Sequence, residues 1–397
     1  MISFDEALGR LLSSAKAIDA TETIPLLYSA NRIAAEDVVS PIAVPGWDNS
    51  QMDGYALRAA DVTAPGATLR VSQRIAAGHV GETLEPGTCA RIFTGAPLPE
   101  GADCVVPQER VEAGESTVRF NDVPKAGDWV RARGGDVAQG ALVVRRGERL
   151  TPGKVGMIAS VGRAYVTVYR RLRVGIFFSG DELVQPGEPL PPGGIYNSNR
   201  FTLRALLQTL GCEALDLGSV PDSLEATTRA LEEAAKTTDV ILSTGGMSVG
   251  EEDHIKPAVK RLGELDVWRV RVKPGKPLAF GHVAGVPFIG IPGNPVAAFV
   301  VFLMMARPFL LKRMGCSADE VTPQWMRADF EWPRAGDREE FLRVRRNATG
   351  GLDLFANQNS QVLSSCGWAD GLVDLPVGAT VARGDMVKYY PFCQFFA

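Results

Sequence analysis

The sequence predicts an α/β protein with β-rich modules, organised as a multidomain chain around a central, doubly wound α/β domain. Three observations predict it. Apolar strands alternate with helical stretches after Arg173, short β-like runs broken by Gly and Pro precede them, and similar short runs follow Cys316. At 397 residues the chain has room for two to four domains of roughly 100–200 residues each.

Ser3-Phe4-Asp5-Glu6 has the S-x-x-E form of a capping box, and Phe4, Ala7, Leu8, Leu11 and Leu12 follow at helical spacing, so the chain opens with an amphipathic helix. Between about Pro41 and Pro152 the runs Leu69–Val71, Thr117–Phe120 and Ala141–Val144 read as strands of a small β-rich module. Val174–Phe178 is a nearly continuous apolar run, which suits a strand covered on both faces of a parallel sheet. A helix is expected from about Asn199, with Phe201, Leu203, Leu206, Leu207 and Leu210 on its apolar face and Gly211 as the residue that ends it.

Ala214–Leu217 follows as a second strand, Ser223 caps a helix through Lys236, and Asp239–Ser243 is a third strand running into Thr244-Gly245-Gly246. Trp268–Val272 and Pro287–Ile291 add strands, Val296–Met314 is a long helix, and Phe341–Val344 and Met386–Tyr390 are β-like runs near the C-terminus.

Lys+Arg of 42 against Asp+Glu of 46 gives a net charge of −4, and 45% of the residues are hydrophobic. That composition excludes a disordered chain and a disulfide-stapled miniprotein, and its slight acidity argues against a nucleic-acid partner despite Arg131, Arg133, Arg145, Arg146 and Arg149. The longest apolar stretch, Val296–Ala306, falls short of the ~18–20 residues that cross a bilayer, so no membrane partner is expected. Met1–Glu6 lacks a basic, then apolar, leader, and the expected location is the cytoplasm. Six scattered cysteines, without a C-x-x-C pair, read as small buried hydrophobes.

In an open α/β sheet ligands bind beyond the carboxyl ends of the strands. Four segments there are rich in functional groups: Ser179–Glu182, Pro221-Asp222, Ser243–Asp253 and Pro292–Pro295. The third leaves its strand through Gly245, Gly246 and Gly250, with hydroxyls on Thr244 and Ser248, and is either an anion-holding turn or a tight turn that needs glycine. Asp181, Glu182, Asp222 and Asp253 would converge at one sheet edge, as hard oxygen ligands suited to Mg²⁺ beside a phosphate. Lys273-Pro274-Gly275-Lys276-Pro277 sets two cations in a stiffened stretch and is either an oxyanion site or part of a solvated loop, and Asp48–Ala56, without hydrophobic period, is either an ordered functional loop or turn chemistry built on Asx side chains.

These motifs together resemble one family, the molybdopterin molybdenumtransferases of molybdenum cofactor synthesis, and the related E domain of gephyrin. The residues carrying the likeness are Asp48-Asn49-Ser50 with Met52–Ala56, Thr94–Pro97, Gly180–Leu183, Thr244–Gly246 with Ser248–Gly250, Lys273–Pro277 and Pro292–Pro295. The resemblance implies an elongated homodimer that hydrolyses adenylated molybdopterin in a Mg²⁺-dependent step, inserts molybdate at the dithiolene sulfurs and releases AMP. It implies active-site roles for Asp53, Thr94, Asp136, Glu182, Asp222 and Asp253, with Glu182 and Asp253 as metal ligands and Asp53 reaching in from the partner subunit. Lys273, Lys276, Arg343 and Ser360 would hold the oxyanion, with Gly245, Gly246, Ser248, Gly250 and Asn294 at the ligand.

The expected units are 1–45 with 140–171 as a discontinuous domain containing the first helix, 46–139 as an inserted β-rich domain, 172–318 as the molybdopterin-binding α/β domain and 319–397 as a C-terminal β domain. Asn197 departs from the family, which usually has an acid there. A molybdopterin adenylyltransferase and a non-catalytic scaffold like gephyrin are the competing readings, and further proteins of cofactor synthesis are possible partners.

Overall fold

The apolar run at Val174 folds as the strand Arg173–Ser179, and alternation along it sends Val174, Ile176 and Phe178 into one buried cluster and Phe177 into another. It therefore needs cover on both sides. In the computed structural model of the chain, which describes residues 1–220, 223–245, 254–317 and 321–396, helices Ser198–Thr209 and Pro295–Arg313 cover one face and Leu224–Thr237 and Ile255–Leu262 the other. Arg173–Ser179 pairs in parallel with Glu213–Val220 and Val240–Thr244, and the latter pairs in parallel with Val286–Ile291.

Beyond Val286–Ile291 the sheet turns antiparallel, through Pro277–Val283 and then Gly263–Arg269 at the edge, which completes six strands. This departs from the strand expected over Trp268–Val272. The strand ends at Arg269, and Val272–Lys273 instead pairs in parallel with Glu339–Glu340 of the C-terminal sheet. Pro277–Val283 has no counterpart among the expected strands.

Local chemistry sets the helix ends. Ser3 Oγ accepts from the Glu6 N–H at 3.1 Å, Asn197 Oδ1 from Arg200 at 3.1 Å and Ser223 Oγ from Ala226 at 3.2 Å. Gly211 takes φ +80° just past the helix Ser198–Thr209. Phe201, expected on that helix's apolar face, is 54% exposed.

The first helix, Phe4–Ser14, was expected in the discontinuous unit 1–45 with 140–171. It packs instead into the central core, with the Phe4 ring 5.4 Å from Phe341 and the first helix against Arg307–Arg313. An amphipathic stripe specifies burial but not which core receives it. In the N-terminal region, Thr21–Pro25 pairs with Tyr165–Tyr169 and Val38–Val39 with Leu142–Val144, while a six-stranded sheet runs Cys104–Pro107, Gly54–Leu57, Thr88–Ile92, Thr68–Ile75, Thr117–Phe120, Val111–Ala113. The C-terminal sheet runs from Val272–Lys273 through Glu339–Arg346, Gly371–Leu375 and Met386–Pro391 to Gln324–Arg327, with Leu352–Leu354 beside Glu339–Arg346.

Pro295–Arg313 extends past the apolar stretch that ends at Ala306 and is, by length and composition, long enough to cross a membrane. It is a core helix: 78% of its most apolar window is buried inside the protein. A π-helical turn at Phe302–Ala306 falls just before Pro308, which has no N–H to give the helix ladder. Cys89, Cys104 and Cys212 are buried, and burial pushes the Cys89 thiol up to about 12. Cys393, contrary to expectation, is exposed.

Glu339 lies beside Asp374, with Asp5 of the first helix adding negative charge and Lys388 opposing it; burial first, and then the Asp374 carboxylate, push the Glu339 carboxyl up to about 8. A protonated Glu339 is a hydrogen-bond donor to the Asp374 carboxylate, whose Oδ1 has no other partner among the described residues. Because the folded state holds this proton more tightly than the unfolded chain, the pair's contribution to stability falls as pH rises from the ordinary carboxyl range of 4.5 toward 8. Glu339→Gln keeps the donor and removes the titration. Its melting temperature should lose less than the parent's between about pH 5 and about pH 9, and parallel curves for the two proteins would refute the assignment.

A candidate active-site cleft at the carboxyl ends of the parallel strands

The parallel strands end together at Ser179, Thr244 and Ile291, and the chain leaves them through turns that lie backbone on backbone. Gly245 has φ +83°, and a Cβ there would stand 2.9 Å from the Ser179 carbonyl oxygen. No other residue fits without displacing the neighbouring strand. Above these turns opens a cleft of about 1090 Å³, whose far wall comes from the C-terminal region, Gln358–Gln361 and Arg338.

Glu182 reaches the cleft from a turn closed by the Leu183 N–H to the Gly180 carbonyl at 3.1 Å, and its own carbonyl accepts from Ile195 at 2.8 Å. Its carboxylate is exposed and has no ion pair among the described residues. Asn294 heads the helix Pro295–Arg313, so that helix presents its N-terminal end to the cleft. Asn294 Nδ2 donates to Ser360 Oγ at 3.2 Å, and the Val296 N–H donates to the Ser360 carbonyl at 3.1 Å. These bonds tie the C-terminal wall to the floor.

The two lysines differ. Lys273 Nζ donates to Glu340 Oε2 at 3.1 Å and stands 5.9 Å from the centre of the Trp332 ring, so a largely buried carboxylate offsets its charge. Lys276 is exposed and has no ion pair among the described residues. Gly275, between them, has φ +109°, and a Cβ would meet Val301 at 2.4 Å, which presses the loop onto the core helix.

Of the residues expected at the site, Glu182, Gly245, Lys273, Lys276, Asn294 and Ser360 line this cleft. Arg343 does not. It is buried behind the wall, donating from Nε to Ser365 Oγ at 3.2 Å and from Nη1 to the Phe341 carbonyl at 3.1 Å, and burial lowers its guanidinium to about 10. Asp53, Thr94 and Asp136 lie in the N-terminal region, outside the residues lining the cleft of their own chain.

Asp53 and Thr94 do meet: Asp53 Oδ1 accepts from both the Thr94 N–H and Oγ1 at 2.8 Å, and these bonds, the backbone one first, lower the Asp53 carboxyl. Asp222, Gly246, Ser248, Gly250 and Asp253 lie outside the described residues. Among the described residues no three His, Cys, Asp or Glu side chains group as a metal site. Asn197, which replaces the usual acid, serves as the cap of Ser198–Thr209. Arg338 and Gln358 line the cleft and escaped the sequence reading, because nothing near them in sequence forms a motif; Tyr196 and Asn199, which flank Asn197, line it as well.

A doubly wound sheet with lysines, a carboxylate and a helix N-terminus at its carboxyl edge has the chemistry suited to anionic small molecules. Family models match in three stretches: "MoeA N-terminal region (domain I and II)" at residues 2–162, "Probable molybdopterin binding domain" at 175–312 and "MoeA C-terminal region (domain IV)" at 326–392. The molybdopterin molybdenumtransferase of Haemophilus influenzae is 42% identical over 317 residues, 79% of this chain and 78% of its own length. Molybdopterin molybdenumtransferase 2 of Mycobacterium tuberculosis is 35% identical over 385 residues, 93% of this chain and 94% of its own. A crystal structure of the molybdopterin biosynthesis moeA protein of Pyrococcus horikoshii superposes with a TM-score of 0.88 at 28% identity, covering 98% of this chain and 100% of that one. The chain belongs to the molybdopterin molybdenumtransferase family.

Thr94→Val removes the hydroxyl donor to Asp53 and leaves the backbone one. The Asp53 carboxyl, followed by NMR titration, should rise toward the ordinary range yet stay below it. No change would show that the hydroxyl bond has no part in holding the carboxylate.

Proposed function

We propose that this protein transfers molybdenum from molybdate to adenylated molybdopterin and releases AMP. The observation that carries the reading is the convergence of Glu182, Lys276, Asn294 and Ser360, from four separate segments, on one cleft at the strand ends. In this reading water cleaves the phosphoanhydride to AMP, and molybdate bonds to the two dithiolene sulfurs as one of its oxo ligands leaves, with the two sulfur protons, as water. Lys276, and Lys273 beside it, concentrate the oxyanion against a net-negative protein, and the N-terminal end of Pro295–Arg313 faces the same charge. Fixed donors on Asn294 and Ser360 orient a polar ligand without reorganising.

Mg²⁺ fits the donor set: the Glu182 carboxylate is an exposed hard-oxygen ligand with no ion pair among the described residues, and such sites use one or two carboxylates together with substrate phosphates. Glu182 and Asp253 would hold it, and when bound it would neutralise phosphate charge. Asp222 is assigned to the same edge. Thr244–Gly250, through Gly245, Gly246, Ser248 and Gly250, is assigned to the ligand's phosphate.

The same reading makes the protein a cytoplasmic homodimer. Asp53, with Thr94 and Asp136, belongs to the 46–139 insertion and does not line its own chain's cleft, which supports delivery of Asp53 to the partner's cleft. The adenylyltransferase and scaffold readings are not favoured, because relatives matched over 93% of this chain carry the molybdenumtransferase name.

AMP release from adenylated molybdopterin, with Mg²⁺ and with or without molybdate, tests the proposal. Molybdate should stimulate release by the parent, chelation of Mg²⁺ should stop it, and Glu182→Ala should lower it by about 10²-fold or more. No release by well-folded parent protein would sink the reading. Mixing Asp53→Ala with Glu182→Ala subunits under exchange should recover activity that neither variant has alone, since one of the two sites in a mixed dimer is then intact. Failure to recover it in demonstrated mixed dimers would place Asp53 and Glu182 in the same subunit's site.

A further inference from the structure

The backbone at Asp53 is held by a side chain from the neighbouring strand. Arg91, on Thr88–Ile92, stands opposite Tyr55 of Gly54–Leu57. Its Nη1 donates to the Gly54 carbonyl at 2.9 Å and its Nη2 donates to Gln108 Oε1. Gln108 in turn gives its backbone N–H to the Asp53 carbonyl at 3.0 Å. Two consecutive carbonyls, those of Asp53 and Gly54, are therefore fixed by Arg91, one through Gln108 and one directly. The strand behind them is closely seated, since a Cβ on Gly54 would stand 2.1 Å from the Val106 carbonyl oxygen.

Arg91 is itself placed by rings and not by a carboxylate. Its guanidinium carbon lies 5.2 Å from the centre of the Tyr55 ring and 4.7 Å from that of Phe93, and no carboxylate pairs with it among the described residues. Aromatic faces orient a guanidinium without cancelling its charge. After the backbone and hydroxyl bonds from Thr94, that charge also holds the Asp53 carboxyl down. Thr94 lies just beyond the same strand, so one short stretch supplies both the donors to the Asp53 carboxylate and the clamp on its backbone. Arg74 gives the contrast: it stands 4.5 Å from the same Phe93 ring and makes no hydrogen bond to the Asp53 segment among the described residues.

We propose that Arg91 is a positioning residue that acts through Asp53, fixing the two carbonyls at the root of the Asp53 side chain so that its carboxylate is presented in one place. The inference rests on the role given to Asp53 above, and Arg91 itself touches no substrate. A carboxylate carried outside regular structure loses its aim when its backbone shifts, and a displacement of about 1 Å can cost about 10²-fold in rate. A guanidinium suits the task because its planar fork joins two separate acceptors in a fixed geometry, whereas an ammonium at the same place supplies the charge without the fork.

The test compares the full-length parent with Arg91→Gln, Arg91→Lys and Arg74→Gln, by the kinetics of AMP release from adenylated molybdopterin and by NMR titration of the Asp53 carboxyl. Arg91→Gln should lower kcat by about tenfold or more while KM stays within about threefold, and the Asp53 carboxyl should rise. Arg91→Lys should keep the Asp53 titration close to the parent's, because the charge remains, and recover only part of kcat, because the fork is lost. Arg74→Gln, which removes an exposed charge from the same ring, should stay within about twofold of the parent in both measurements. An Asp53 titration unchanged in Arg91→Gln, a kcat for that variant within about twofold of the parent's, or an equal loss in Arg74→Gln would overturn the proposal. Melting curves matching the parent's keep misfolding out of the comparison. If Arg91→Gln fails to fold, Arg91→Lys decides: full kcat in it overturns the proposal, and a reduced kcat with an unchanged Asp53 titration supports it. A parent that releases no AMP would sink the transferase reading, and with it the role of Asp53, whereas release indifferent to Arg91 would sink this inference alone.

Discussion

The cleft exists because two residues leave their own domain's sheet. Val272 and Lys273 pair with Glu339 and Glu340, and this short parallel junction brings the C-terminal sheet to the carboxyl edge of the α/β sheet. The same junction takes in the N-terminus: the Ile2 N–H donates to the Arg269 carbonyl at 3.1 Å and the Arg271 N–H to the Ile2 carbonyl at 2.9 Å. Chain segments more than 300 positions apart in number, about residues 2, 270 and 340, therefore meet at one place. Phe4 against Phe341 seals it with apolar area. Without this junction Lys273 would lack its carboxylate, Arg338 would lack its turn, and the strand ends would face open solvent.

What the sequence shows of this arrangement is its local part. The helix caps at Ser3 and Ser223, the glycine after Ser198–Thr209 and the doubly covered strand at Val174 are each decided within a few residues, and they can be read from the chain. Glu182, Lys276 and Asn294 are likewise legible, since strand ends and family motifs mark their segments, whereas Ser360 is named through the resemblance alone. The break at Arg269 is not legible, because Trp268–Val272 has the composition of one strand and only the competing sheet pulls Val272 away. The destination of the first helix is hidden for the same reason. Arg343, which the resemblance places at the oxyanion, lies where every residue from Glu340 to Val344 is buried, and a charge in the sequence does not show that burial. Arg338 is missed because an arginine between Asp337 and Glu339 reads as ordinary surface.

The burial of Arg343 still bears on the cleft. Gln358 Oε1 accepts from the Arg343 N–H at 2.9 Å, and Gln358 Nε2 donates to the Arg343 carbonyl at 3.0 Å and to the Phe355 carbonyl at 2.9 Å. A side-chain amide thus takes the place of a strand partner. It fixes the start of Gln358–Gln361, and Asn294 fixes the same segment at Ser360.

The electrostatic design follows from how firmly each group is held. A cation bound to a buried carboxylate, as Lys273 is, gives a ligand less net attraction than a free one, but it keeps its place when the ligand leaves. An exposed cation with no ion pair among the described residues, as Lys276 is, attracts more strongly and is held less firmly. A site built only from the second kind would pay an ordering cost at each binding event, and one built only from the first would bind anions weakly. Placing Lys273 and Lys276 on the same short loop, with Gly275 packed on the core helix between them, joins a fixed anchor to an exposed cation within four residues. The wall opposite is held by side-chain amides and backbone bonds in place of charge, so its donors stay aimed whether or not an anion is present.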